Sequence, residues 1–184
     1  HRNKSTGEPQ FYRFAHPKSR EYPFMIELFT RRTGKIRLPD EAVLTPLPLE
    51  GDVSSLSAIL LDDNYYELLR GGRTEAEGVT VLDAGHLILF KAKAWLDLSA
   101  RREAGETVDS RHLRKHKNDI FRLSALLGPA TRISVSPQVL SDIQSFIAAM
   151  DGDTVDEKQL GLARTKENIL QQLSDRYTAE EKRE

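Results

Sequence analysis

Residues 83–129 read DAGHLILFKAKAWLDLSARREAGETVDSRHLRKHKNDIFRLSALLGP, and this stretch decides the fold class. Asp83 stands just before an apolar run, where its carboxylate can accept from the first free backbone N–H groups. That predicts a helix from Asp83 to about Arg102. Gly105 and its polar neighbours break it. A second helix begins near Asp109-Ser110 and stops at Gly128-Pro129, because glycine relaxes a helix end and proline cannot continue one.

Downstream the pattern stays helical. Ser136-Pro137 opens a third helix to about Met150, Asp151-Gly152-Asp153 is a turn, and Thr154 to Glu157 is a capping box for a last helix reaching Tyr177. Upstream the chain reads as strands and loops. Phe11–Phe14 is a short strand, and Phe24–Phe29 is a strand with apolar residues on both faces, as expected of a central strand. Residues 33–54 are mostly loop with a short strand near Val43-Leu44. Ser57–Leu61 is a strand ending at Asp62-Asp63, Tyr65–Leu69 is a helix stopped by Gly71-Gly72, and Val79–Leu82 is a strand. Strands first and helices second give an α+β protein. The expected divisions are a sheet portion at 1–82, a helical portion at 83–177 and a frayed charged tail at 178–184.

Charge narrows the function classes. The 27 basic and 28 acidic residues leave a net charge of −1, which argues against a histone-like or membrane-surface protein. The absence of cysteine excludes a disulfide scaffold and a cysteine-ligated zinc site, and is compatible with the reducing cytoplasm. No apolar run approaches the roughly 20 residues that cross a bilayer. A phosphate-binding glycine loop and a dinucleotide fingerprint are both absent, and Gly71-Gly72 reads as a helix stop.

Polar residues on apolar faces are the candidate site. At about 100° per residue, Leu87, Ala94, Trp95 and Leu98 share a face with Lys91 in its middle. An ammonium group there needs an anionic partner, a cleft, or a path to water along its own stem. Lys93 lies on another face, one turn before Asp97, as an exposed ion-pair partner. In the second helix Leu113, Ile120, Leu123 and Leu127 define the apolar face. His116 lies within it, His112 and Asp119 near it, and Arg111, Lys115 and Arg122 form a basic edge. A histidine packed in the core, or an Asp–Lys pair locking two helices together, is the competing reading. Glu27 shares a strand face with Met25 and Phe29 and needs a cation, with Arg31 or Arg32 the plain choice. Asp62-Asp63 is no metal pair, since neighbours on a strand point oppositely and Asp63 can cap the next helix. His112 and His116 stand one turn apart without a third zinc ligand nearby.

Ile26-Glu27-Leu28, Leu87–Lys91 and Arg114–Leu123, taken together, resemble nucleotidyltransferase-like proteins of the AbiEii/AbiGii toxin type, members of the DNA polymerase β-like superfamily. The resemblance spans roughly residues 10–130. It implies a small mixed β-sheet followed by a C-terminal helical bundle. It also implies transfer of a nucleotide from a nucleoside triphosphate, with Mg2+, to an acceptor that the sequence does not specify, RNA among the candidates. A toxin role in a type IV toxin–antitoxin system, with a cognate antitoxin as partner, comes with it. On this resemblance Glu27 matches the third catalytic carboxylate, as metal ligand or activator of the acceptor hydroxyl. Lys91 and Lys115 meet the triphosphate, and Asp119 orients one of these lysines. His116 stands where the family has an aspartate, an accessory position. The family's glycine-rich turn and paired carboxylates are not among the 26 residues before Glu27. With His1 in place of a methionine, the expectation is that they lie upstream in a longer protein. The alternative is a non-catalytic interaction module keeping the same fold.

Overall fold

The computed structural model describes residues 13–15, 17–23, 25–31, 44–46 and 57–180. The chain is α+β and divides into two compact units, residues 1–66 and 67–184.

In the first unit, β1 (Arg13–Ala15) pairs antiparallel with β2 (Met25–Glu27), setting Arg13 opposite Glu27. The centre of a second, mixed sheet is β5 (Ser57–Leu61), flanked by β3 (Phe29–Arg31) in parallel and β4 (Leu44–Pro46) antiparallel. The expected central strand Phe24–Phe29 is therefore two short strands in different sheets. Ile26 and Phe29 are both about half exposed, so neither strand is covered on both faces. Apolar content on alternate residues could not distinguish one long strand from two short ones separated by Leu28. Of the expected Phe11–Phe14 strand, Phe11 and Tyr12 lie outside the described residues, as do Phe24, Arg32 and most of the 33–54 loop.

Helix α1 (Asp63–Gly71) begins one residue earlier than Asp63 as cap would require. Asp62 is the cap, its carboxylate accepting from the Tyr65 N–H at 2.9 Å. Asp63 instead takes the Arg31 guanidinium at 2.7 Å, which holds its carboxyl below the usual range, and Arg31 also lies over the Tyr66 ring.

The second unit is mainly helical. β6 (Arg73–Ala76) and β7 (Val79–Leu82) form a hairpin whose turn, Glu77-Gly78, has positive φ at both residues, as a two-residue turn matching strand twist requires. Then come α2 (Ala84–Glu103), α3 (Ser110–Ser124), β8 (Ile133–Val135), α4 (Pro137–Ala149), α5 (Glu157–Leu160), α6 (Lys166–Arg176) and β9 (Tyr177–Ala179). Asp83 caps α2 by accepting from the His86 N–H, and Ser136 caps α4 with Pro137 in its first turn, both as expected. The core lies where α2, α3 and α4 meet, around Ile88, Leu89, Ile120, Phe121, Ile143 and Phe146, all essentially inaccessible.

Three boundaries differ from expectation. Helix α3 ends at Ser124, before Gly128, because Ala125 to Leu127 tighten into three-residue turns. The single last helix is two: Asp156, not Thr154, caps α5, Gly161 ends it at φ 68°, and Thr165 caps α6. The expected tail is partly ordered, since β9 pairs in parallel with β8 and the buried Tyr177 hydroxyl donates to the Gly85 carbonyl at 2.9 Å. Residues 181–184 lie outside the described residues.

Candidate functional site

Helix α2 buries Gly85, Ile88, Leu89, Ala92 and Ser99. This stripe is not the expected one of Leu87, Ala94, Trp95 and Leu98, all of which keep partial exposure. Lys91 therefore stands on a flank of the buried stripe, and from there it meets the neighbouring helix.

On α3 the buried residues are Leu113, Ile120, Phe121 and Ser124. Asp119 reaches across to α2, and its Oδ2 lies 2.9 Å from Lys91 Nζ. Both side chains keep about a fifth of their surface exposed, 21% and 23%, so the pair bridges two helices and still has one side open. Of the two lysines that Asp119 was expected to orient, Lys91 is the one it holds. Lys115, one turn before Asp119, is exposed.

His116 is half-buried beside this pair. Its Nδ1 is buried without a hydrogen-bond partner among the described residues. Burial holds the imidazole below its ordinary pKa, helped by the cations of Lys91 and Lys115, opposed by Asp119, and helped slightly by His112. His116 is thus neutral near pH 7 and adds a polar ring, not a third cation.

The most enclosed lysine of the two helices is one that the sequence reading passed over. Lys117 follows Leu113 by four residues and precedes Phe121 by four, a spacing that puts it on the buried face. Only 13% of its side chain is exposed. Its ammonium donates to Asp153 and to the Thr154 carbonyl, both at 2.9 Å. Lys166 clamps the same loop from α6, donating to the carbonyls of Met150 and Asp153 at 3.1 Å. These contacts satisfy main-chain carbonyls of the loop that follows α4. Lys93 pairs with Asp97 at 3.1 Å as expected, and also approaches Asp142 of α4 at 3.8 Å.

Glu27 ends β2 in the other compact unit, with Arg13 as its register partner. Among the described residues no three histidine or carboxylate groups converge as metal ligands. The described residues therefore do not fit a Mg2+ pair, which needs several carboxylates converging on two ions about 3.5–4 Å apart. No helix among them is long and apolar enough to cross a membrane.

No protein-family model, curated protein or solved structure matches the chain.

Proposed function

We propose that this chain belongs to a cytoplasmic nucleotidyltransferase-like protein, and that Lys91, oriented by Asp119, contacts the phosphates of a nucleoside triphosphate. The observation that carries this reading is the Lys91–Asp119 pair, fixed at 2.9 Å between α2 and α3 yet open on one side. An aspartate that holds a lysine in one rotamer lowers the entropy lost when the lysine meets an anion. The exposed fifth of the Lys91 side chain leaves a path by which a phosphate oxygen approaches. His116, neutral and short of one hydrogen bond, offers a further polar contact beside it.

Nucleotide transfer itself needs metal-holding carboxylates beyond the described set, so no chemical step is assigned to these residues. RNA as acceptor and an antitoxin as partner accompany the family resemblance, with no residue here allotted to either.

One observation favours a second reading. Lys91 is already neutralised, and an ion pair between two packed helices can serve purely as a lock, leaving the protein a non-catalytic interaction module. Lys91→Met separates the two. Both proteins carry Arg102→Gln and Arg114→Gln, to silence a separate basic groove beside Trp95. If the ammonium serves a nucleotide, ATP raises the melting temperature when Lys91 is present and not in the variant. Breaking the pair costs stability in either case, and under the lock reading ATP shifts the melting temperature of neither protein.

A further inference from the structure

A groove of about 320 Å³ opens where α2, α3 and the loop after α4 meet. Lys117 lies two residues before Asp119, about 200° around the helix, so this groove and the Lys91–Asp119 pair occupy different sides of α3. Its wall is apolar where Trp95 and the buried Leu113 line it, and basic where Arg102, Arg114 and Lys117 do. Among the described residues Asp153 is the only carboxylate lining it, and it is taken by Lys117. Arg102 and Arg114 are exposed, and among the described residues neither guanidinium has a hydrogen-bond or ion-pair partner. In a chain whose net charge is −1, the groove thus gathers two uncommitted positive charges beside an aromatic wall. Trp95 is held by an edge-on contact with the buried Phe146 ring, centroids 5.4 Å apart, so that wall is already set.

We propose that this groove binds a phosphate ester bearing a flat apolar group. The phosphate sits between the Arg102 and Arg114 guanidiniums, whose planar forks suit its oxygens, and the apolar part rests against Trp95 and Leu113. The volume is at the lower end of the roughly 300–1,000 Å³ of small-molecule sites, which fits a mononucleotide-sized ligand. The site stands independently of the Lys91 reading.

Trp95 is the chain's single tryptophan and lines the groove, so its fluorescence, excited where tyrosine does not absorb, reads a ligand bound there. The experiment titrates the protein with AMP, inorganic phosphate and adenosine, at low and high salt. The expected result is a saturable change with AMP, weaker binding of phosphate, none of adenosine, and weakening as salt rises. Arg102→Gln and Arg114→Gln each weaken AMP binding by about tenfold, the usual scale for losing one charged hydrogen-bond partner. Arg114→Lys, which keeps the charge and loses the fork, recovers only part of it, and thermal melts confirm that each variant is folded. The proposal is overturned if AMP gives no saturable change, if adenosine binds as well as AMP, or if phosphate does. It is also overturned if the arginine variants bind like wild type.

Discussion

The energetic link between Lys91 and Asp119 can be measured by a double-mutant cycle of Lys91→Met, Asp119→Asn and the pair. At their 2.9 Å separation the bare attraction is about 1.4 kcal/mol in bulk water and about 6 kcal/mol at an effective dielectric of about 20. With a fifth of each side chain exposed, solvent screening, partial desolvation and side-chain ordering leave a net coupling of about 1–2 kcal/mol. Asp119→Asn should cost the more of the two single changes. It leaves an ammonium mostly enclosed, beside a neutral His116, without its counter-ion. The double variant should regain part of that loss, because no unpaired charge remains. Urea unfolding at two salt concentrations measures all four proteins. Single-variant effects that add within about 0.3 kcal/mol would show that the two groups are independent, and the pair would then orient nothing.

Two further outcomes follow from the same helical unit. His116 has its pKa depressed by burial, so its contribution to stability is present above the ordinary value of 6.5 and is lost as pH falls below it. Melting temperatures from pH 8 to 5 should therefore fall more steeply for wild type than for His116→Leu, and parallel curves would refute the burial of this ring. A methyl group at Gly72 would meet the Cβ and Cγ of His86, atoms near the backbone with little room to give. Gly72→Ala should thus lower stability by about 1–3 kcal/mol, read by the same unfolding assay, whereas an unchanged protein would mean that the hairpin entering α2 shifts freely.

How much of this was legible depended on whether each signal was local. Asp83 and Ser136 cap their helices through hydrogen bonds three residues long, so side-chain chemistry beside an apolar run located both starts. Lys91 and Asp119 stood out because charge interrupts apolar positions, and two such interruptions on adjacent helices found each other. Lys117 carried the same signal, flanked by Leu113 and Phe121 at four-residue spacing, and was missed when the face was drawn through Leu123 in place of Phe121. What Lys117 and Lys166 hold was not legible at all. Their partners are mostly main-chain carbonyls of a loop, which carry no residue identity. The β8–β9 pairing joins Ile133 to Tyr177, far apart in sequence, through three-residue strands too short to show a period. β6 is exposed along its length, so no alternation marked it. Phe24–Phe29 failed for a related reason: two short strands meeting at Leu28 present the same apolar content as one buried strand.

The central claim, that Lys91 is a phosphate-facing cation as well as half of an ion pair, is tested most directly by the thermal shift with ATP. The titration is run without divalent metal on wild type and Lys91→Met, each also carrying Arg102→Gln and Arg114→Gln to silence the basic groove. At about ten times the dissociation constant a bound ligand adds about 1.4 kcal/mol, or about 3–5 °C for a chain of this size. The account predicts that shift with Lys91 present and less than 1 °C in its absence, about a quarter of the effect or less. Equal shifts in the two proteins, or none in either at millimolar ATP, would contradict it.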